Sequence, residues 1–306
     1  MMQTTIIEAI CQTVGAAPAE IKAQGLTRFA TSSRPSNRDG WVRVMPDGTV
    51  RFGCWRQGLS GWWRDGAADR HGPRRHDRAD RAALADQEKQ RQRHERINRA
   101  IFKAARPLQR HEPVGQYLVH RGLGKLSKCP QALRMAALPY FDAGCEVGLF
   151  PTMLAAVTDP KGVMVAVHRT YIDFNGQKAP VAQPRKLSRT SGLLARASIK
   201  LFAPKSIEGK LALGVAEGIE TALACYLASG IPTWSCMNAG GVSAFDWPQG
   251  LQTLVVFADN DANGVGQSAA RNLAGRAAAA GIEVRVLIPE SVGTDWLDVY
   301  VAGCAA

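Results

Sequence analysis

Between residues 211 and 288, short apolar runs alternate with helix-patterned segments, and this alternation restricts the fold more than any other feature of the chain. Residues 211–216, 253–258 and 282–288 read as buried strands, with 232–237 as a further short one. Residues 219–228 carry apolar side chains at 219, 222, 223, 226 and 227 and stop at Gly230, and residues 267–280 form a second helical stretch before Gly281. Strands alternating with helices imply a parallel sheet with helices on its faces, because each parallel connection must cross back over the sheet.

In such a sheet the carboxyl ends of the strands lie along one edge, where functional groups converge. Strand 211–216 runs into Glu217-Gly218 and strand 253–258 into Asp259-Asn260-Asp261, so three carboxylates are expected in one patch. Gly218 has no Cβ and lets the backbone approach whatever the acids hold. Crowded carboxylates repel unless a divalent cation or a proton intervenes. Oxygen-only ligands select hard Mg²⁺ or Mn²⁺, which suits phosphoryl chemistry. Taken singly, each acid is equally readable as a helix cap or an exposed loop acid; their coincidence at two strand ends favours the metal reading. Asp295 and Asp298 are three residues apart, so one helical turn puts both on one face. They are either secondary metal ligands or a helix cap.

The front of the chain is different. Residues 41–45 and 49–52 flank Pro46-Asp47-Gly48 and read as a β-hairpin, preceded by a helix-like stretch at 6–23 that breaks near Gly15 and Pro18. Four of the seven tryptophans (Trp41, Trp55, Trp62, Trp63) fall in this region with seven arginines between Arg28 and Arg64, which gives a small, β-rich, aromatic and basic module over 1–64. Trp62 and Trp63 cannot both point inward if their segment is extended. Residues 65–110 form a basic helical linker, supported by i,i+4 pairs such as Asp77/Arg81 and Glu95/Arg99. Residues 111–205 read as a mixed α/β module: a short helix ending at Gly122, then a hairpin of 149–158 and 163–172 that leads into His168-Arg169-Thr170 and a basic stretch at 175–189. The strand–helix alternation occupies 206–306.

Charge follows the same division. The net charge is +12, yet residues 201–306 carry five basic against ten acidic side chains, so the excess of positive charge sits wholly in the first 200 residues. A polyanion held by the front and a cation by the back fits this asymmetry. No run approaches the length of a bilayer span and no export signal precedes the first apolar stretch. The seven cysteines contain no Cys-x-x-Cys pair, which argues against a disulfide framework or a structural zinc site and fits a cytoplasmic location.

The pieces Val215-Ala216-Glu217-Gly218, Asp259-Asn260-Asp261 followed by Gly264, and the terminal Asp295-Trp296-Leu297-Asp298 resemble the Toprim domain shared by bacterial-type primases, topoisomerases and certain nucleases. The earlier pieces Asp39-Gly40-Trp41, Phe52-Gly53-Cys54-Trp55-Arg56, Tyr117-Leu118 with Arg121-Gly122-Leu123, and His168-Arg169-Thr170 with Gly176-Gln177-Lys178-Ala179 resemble Toprim-containing primases of phages, plasmids and other mobile elements. That resemblance implies an α/β fold: a Rossmann-like, mostly parallel C-terminal Toprim sheet preceded by a mixed α/β primase-core module and a small β-rich module. It also implies RNA-primer synthesis on a single-stranded DNA template from nucleoside triphosphates, with Glu217, Asp259 and Asp261 catalytic and metal-binding, and Asp295 and Asp298 as further ligands.

Arg169, Lys178 and Lys186 are the candidate nucleotide and template contacts, and Arg43, Arg51, Arg56 and Trp62 the candidate DNA contacts. Primases of this type commonly begin with a zinc module, whereas here Cys54 has no partner cysteine nearby, so no zinc is expected. No Gly-x-x-x-x-Gly-Lys-Ser/Thr loop is present, so a replicative helicase or initiator acts in trans. The alternatives are a metal-dependent nuclease on the same acids, or a non-catalytic DNA-binding accessory protein.

Overall fold

A computed structural model describes residues 5–32, 38–55, 57, 59–64 and 78–305. The chain divides into two compact units, Met1–His76 and Asp77–Ala306.

In the first unit, helix α1 (Ile6–Val14) opens with a capping box in which Thr5 and Glu8 satisfy each other's backbone amides, and it closes on Gly15 in the left-handed conformation at φ 80°. Four strands follow, β1 (Leu26–Phe29), β2 (Gly40–Val44), β3 (Val50–Cys54) and β4 (Leu59–Trp63), joined antiparallel in that order. Alternation decides the faces. Phe29, Val42, Val50, Phe52 and Cys54 pack against Ile10 and Val14 of α1, with Trp63 at the margin. The opposite face carries Leu26, Arg43, Arg51 and Trp62 in one cross-strand row. Trp62 is 66% exposed while Trp63 packs inward, as an extended segment requires.

The second unit begins with the 27-residue helix α2 (Arg78–Ala104). The Glu95–Arg99 pair forms at 2.9 Å; the companion pair at 77 and 81 lies outside the described side chains. The helix is more than a solvated linker, because Ile101, Phe102 and Ala105 pack against Leu154 and Val167, and buried Asn98 donates to the Arg189 carbonyl at 2.9 Å. An antiparallel sheet of β5 (Arg106–Pro107), β6 (Leu133–Asp142), β7 (Cys145–Thr158), β8 (Met164–Tyr171) and β9 (Arg185–Leu187) follows in sequential order. Between β5 and β6 lies α3 (Pro113–Leu118), extended by a π turn to Gly122 at φ 78° and Leu123.

The remaining elements are β10 (Lys205–Ile207), β11 (Lys210–Ala216), α4 (Ile219–Ser229), β12 (Thr233–Ser235), α5 (Ala239–Ala244), β13 (Thr253–Phe257), α6 (Val265–Ala279), β14 (Glu283–Leu287) and α7 (Trp296–Ala305). β11, β13 and β14 are parallel neighbours, β12 adds parallel to β11, and β10 is an antiparallel edge. One face of this sheet buries Leu213, Val215, Leu254 and Val256 under α6 residues Ala270 and Leu273. The other shares a core with the preceding sheet: Ala216, Leu223, Phe257 and Leu297 pack with Val114, Tyr117, Leu133, Met153 and Ala155. The two sheets of this unit are therefore held by one hydrophobic core, which fixes their functional edges relative to each other. Among the described residues, no helix is long and apolar enough to cross a membrane.

Candidate active site

The carboxyl edge of the parallel sheet places Glu217 immediately after β11 and Asp259 and Asp261 immediately after β13. Backbone bonds hold both loops: Ser235 Oγ donates to the Glu217 carbonyl at 2.7 Å, and Gly264 N donates to the Asp261 carbonyl at 3.0 Å. Asn260 points away from its acidic neighbours and ties down the loop before α7. Its Nδ2 donates to the Pro289 carbonyl at 2.8 Å, while its backbone exchanges hydrogen bonds with Gly293 and Thr294. That anchoring brings Asp295 and Asp298 up to Asp259.

Four acids therefore surround Asp259. Burial first, then the charges of Glu217, Asp295, Asp261 and Asp298, push its carboxyl up to about 7. Glu217 is raised as well, by burial and by Asp261, against a hydrogen bond from the Ala239 amide. Glu217 Oε1 and Asp259 Oδ1 are buried with no hydrogen-bond partner. A Cβ on Gly266, in the first turn of α6, would lie 2.8 Å from the Asp259 carbonyl and 3.3 Å from both Asp261 Oδ2 and Glu217 Oε1. Only glycine leaves that space open beside the acids.

Asp295 and Asp298 form the helix cap that the spacing also allowed. Asp295 Oδ1 accepts from the amides of Leu297 at 2.8 Å and Asp298 at 3.0 Å, and Asp298 Oδ2 accepts from the Asp295 amide at 3.1 Å. Asp295 Oδ2 also accepts from Thr221 Oγ1 at 3.3 Å. The pair caps α7 and still contributes its charge to the patch. Among the described residues, no three His, Cys, Asp or Glu side chains close on one point as a ready metal cage. Partnerless buried carboxylate oxygens with repelling neighbours nevertheless suit a divalent cation, and an open set suits one that keeps waters and draws ligands from substrate phosphates.

The cations divide by face. In β8, His168 and Thr170 alternate with Arg169, and in the register with β9, Thr170 opposes Arg185 while Arg169 opposes Lys186. Arg169 and Lys186 thus lie on the α2 side, where Lys186 Nζ sits 3.7 Å from the Tyr140 ring centroid and donates to the Phe141 carbonyl. His168, Arg185 and Lys178 lie on the side of the parallel sheet. The structure does not gather Arg169, Lys178 and Lys186 into one group.

Arg185, which the sequence reading passed over, is held by Glu220 in the first turn of α4. Its Nη2 is 2.8 Å from Glu220 Oε1, and the same oxygen accepts the Tyr117 hydroxyl at 2.6 Å. Glu220 is 4% exposed. Burial alone would raise it, but the Arg185 guanidinium and the Tyr117 hydroxyl outweigh that and hold it below the usual carboxylate range. Burial, opposed by the charge of Glu220 and aided by that of Arg185, lowers His168 to about 4. Lys178 is lowered by burial and by the charges of Arg185 and Arg121. Period-two alternation along β8 is the signal that separates His168 from Arg169; nothing local marks Glu220 as more than a first-turn helix acid.

In the first unit, Arg43 and Arg51 stand directly opposite each other and Arg51 opposes Trp62. Like charges in register destabilise a sheet unless an anion lies across them. Beside them Trp41 and Trp55 stack with centroids 6.0 Å apart, and Arg28 lies over Trp55. Arg56 is outside the described residues.

Known proteins match this architecture in two segments. Residues 212–306 match the Toprim domain family, and residues 91–197 match a family described as Domain of unknown function (DUF7146). The chain is thus an α/β protein that carries a Toprim domain at its C-terminus, and the acids described above lie inside that domain.

Among solved structures, a DNA primase domain from Pseudomonas aeruginosa is 13% identical, with TM-score 0.36, over 54% of this chain and 52% of that domain, so the match spans about half of that relative. The DnaG catalytic core is 13% identical, with TM-score 0.46, over 67% of this chain and 74% of that one. The primase fragment of the bacteriophage T7 primase-helicase protein is 11% identical, with TM-score 0.37, over 90% of this chain and 94% of that one. No curated protein matches.

Proposed function

We propose that the protein is a primase-like nucleotidyltransferase that makes short RNA primers on single-stranded DNA by metal-dependent phosphoryl transfer. The observation that carries the reading is the junction at the start of α4. Glu217, with a buried unpartnered oxygen, faces the acid patch, and three residues on Glu220 holds Arg185 beside Lys178. Acids able to hold Mg²⁺ or Mn²⁺ adjoin cations able to meet a triphosphate, inside a Toprim domain. The motif resemblance along the first 200 residues supports primase over other Toprim enzymes.

In this reading Glu217, Asp259 and Asp261 hold the ion, with Asp295 and Asp298 adding negative field from the α7 cap. Such an ion, when bound, neutralises charge developing on the transferring phosphoryl group. Glu217 orients the attacking 3′-hydroxyl and is the candidate to help remove its proton. Lys178 and Arg185 meet the triphosphate oxygens, and Glu220 keeps the Arg185 guanidinium from swinging into solvent. Arg169 and Lys186, on the other face, are the residues assigned to the template in this reading. The row Arg43–Arg51–Trp62 binds single-stranded DNA through phosphate contacts and stacking. A helicase or initiator acts in trans.

The test incubates the protein with single-stranded DNA, Mg²⁺ or Mn²⁺ and labelled ribonucleoside triphosphates beside an Asp259→Ala, Asp261→Ala variant. Short new oligomers that vanish in the variant support the proposal. Template shortening that vanishes in the variant replaces it with a nuclease, and strand binding without either product replaces it with an accessory role.

A further inference from the structure

Phe174 is 73% exposed. Leaving a phenylalanine in water forfeits the stabilisation that burial of an aromatic brings, and here the chain is built to hold it there. The turn 173–177 closes between Ile172 and Lys178, which bridge antiparallel. Asp173 Oδ1 accepts from the amides of Asn175 at 2.9 Å and Gln177 at 2.8 Å, and the Asp173 amide donates to the Gln177 carbonyl at 2.8 Å.

Gly176 adopts φ +73° and presses against α3, where a Cβ would lie 2.9 Å from Gln116 Cβ and 3.0 Å from the Tyr117 amide nitrogen. His120 Nδ1 lies 3.0 Å from the Gly176 carbonyl. The backbone that carries the ring is thus held by a turn clamped at both ends and along its back.

The turn that carries the ring ends at a cation, since Lys178 bridges back to Ile172. Lys178 ends the turn, close enough to Arg185 and Arg121 for their charges to act on it. Arg121 Nε is buried without a hydrogen-bond partner. Glu220, whose charge also acts on Lys178, is already engaged by Tyr117 and Arg185.

An exposed aromatic ring on a held turn that ends in a lysine, with Arg185 and Arg121 close to that lysine, matches a nucleotide, which offers a flat π surface and a phosphate a short distance away. We propose that Phe174 is a nucleobase platform: one base stacks on its ring while the adjoining phosphate meets Lys178 and Arg185. This rests on the reading of this face as a nucleotide-handling one, and adds to it the residue that contacts bases.

The test measures fluorescence anisotropy of the full-length protein with a labelled oligothymidylate and with the same strand carrying abasic sites, for wild type, Phe174→Ala and Phe174→Trp. Loss of one stacked base predicts that Phe174→Ala weakens the thymidylate strand by about 5- to 100-fold. Phe174→Trp is expected to bind like wild type, and the abasic strand to bind wild type and Phe174→Ala alike.

Two further measurements separate the sources of the base. A strand bearing 5-iodouracil, irradiated and mapped by mass spectrometry, attaches within 173–178 if the base belongs to the template. A fluorescent ATP analogue loses affinity in Phe174→Ala if the base belongs to the incoming nucleotide. Equal weakening of normal and abasic strands overturns the proposal, as does unchanged binding of both strand and ATP analogue. None of these readouts requires polymerisation, so failure of the primase assay and failure of the platform are distinguishable.

Discussion

Replacing Arg185 should cost more than replacing the carboxylate it serves. In Arg185→Leu, Glu220 keeps its 4% exposure and one hydrogen bond, from Tyr117, but loses its only ion-pair partner among the described residues. Breaking a buried pair from the cationic side costs ~3–5 kcal/mol, and the 45% exposure of the Arg185 side chain brings the expectation down to about 2–3 kcal/mol. Glu220→Gln instead retains an acceptor for Tyr117 and frees a guanidinium that is already half in water, for about 1 kcal/mol or less.

For a unit of this size, about 2–4 °C per kcal/mol translates these into a fall of roughly 5–10 °C for Arg185→Leu and under about 4 °C for Glu220→Gln, read by calorimetry. The double variant should resemble Glu220→Gln alone, because the unpaired charge is gone. Acidity supplies a second readout. The wild-type Glu220 is depressed, so its contribution is present above the unfolded value of 4.5 and is lost as the pH falls through the lower folded value. In Arg185→Leu burial dominates and raises Glu220, so its penalty should shrink as the pH falls from 7 toward 5. An Arg185→Leu variant no less stable than Glu220→Gln, or strictly additive losses, would refute the account.

Two further substitutions probe neighbouring groups. Gly266→Ala drives a Cβ to 2.8 Å from the Asp259 carbonyl, so a stability loss of about 1–3 kcal/mol with abolished Mg²⁺-dependent activity is expected; an active, unperturbed variant would show that the space beside the acids is not used. His168, part-buried with its Nδ1 out of water and lowered from 6.5 to about 4, keeps its proton off in the folded chain while the unfolded chain takes one up, so stability should be complete above 6.5 and decline toward pH 4 by about 2–3 kcal/mol. Urea titrations at several pH values should show that decline weakened in His168→Asn, and an identical slope in both proteins would contradict it.

The parallel half was legible because its signals are local. Alternation between β-branched runs and helical spacing placed β11, α4, β13, α6 and β14 to within a residue or two, and the acids follow their strands directly in the sequence. β6 escaped notice because Leu133–Asp142 packs on α2 with one side and on the shared core with the other, so its burial has no clean period of two, and Pro139 interrupts it. The Tyr117–Glu220–Arg185 cluster escaped for another reason: its members are 103 and 35 residues apart in sequence, and only the packing of one sheet's core against the other brings them together.

Glu217 and Glu220 show why residue type and spacing alone could not assign roles here. They are the same amino acid, three positions apart, at the start of one helix. Burial acts on both in the same direction, yet Glu217 is left raised and Glu220 is left lowered. The difference lies in what each faces. Glu217 meets other carboxylates and keeps an oxygen without a partner, a state that folding does not stabilise and that only a cation or a proton relieves. Glu220 meets a guanidinium and a phenol and has its charge satisfied within the fold. In the proposed function the unsatisfied acid is therefore the one given the binding and reacting role, while the satisfied one holds the cation beside it in place, so the first turn of α4 sets the spacing between the acid patch and Arg185.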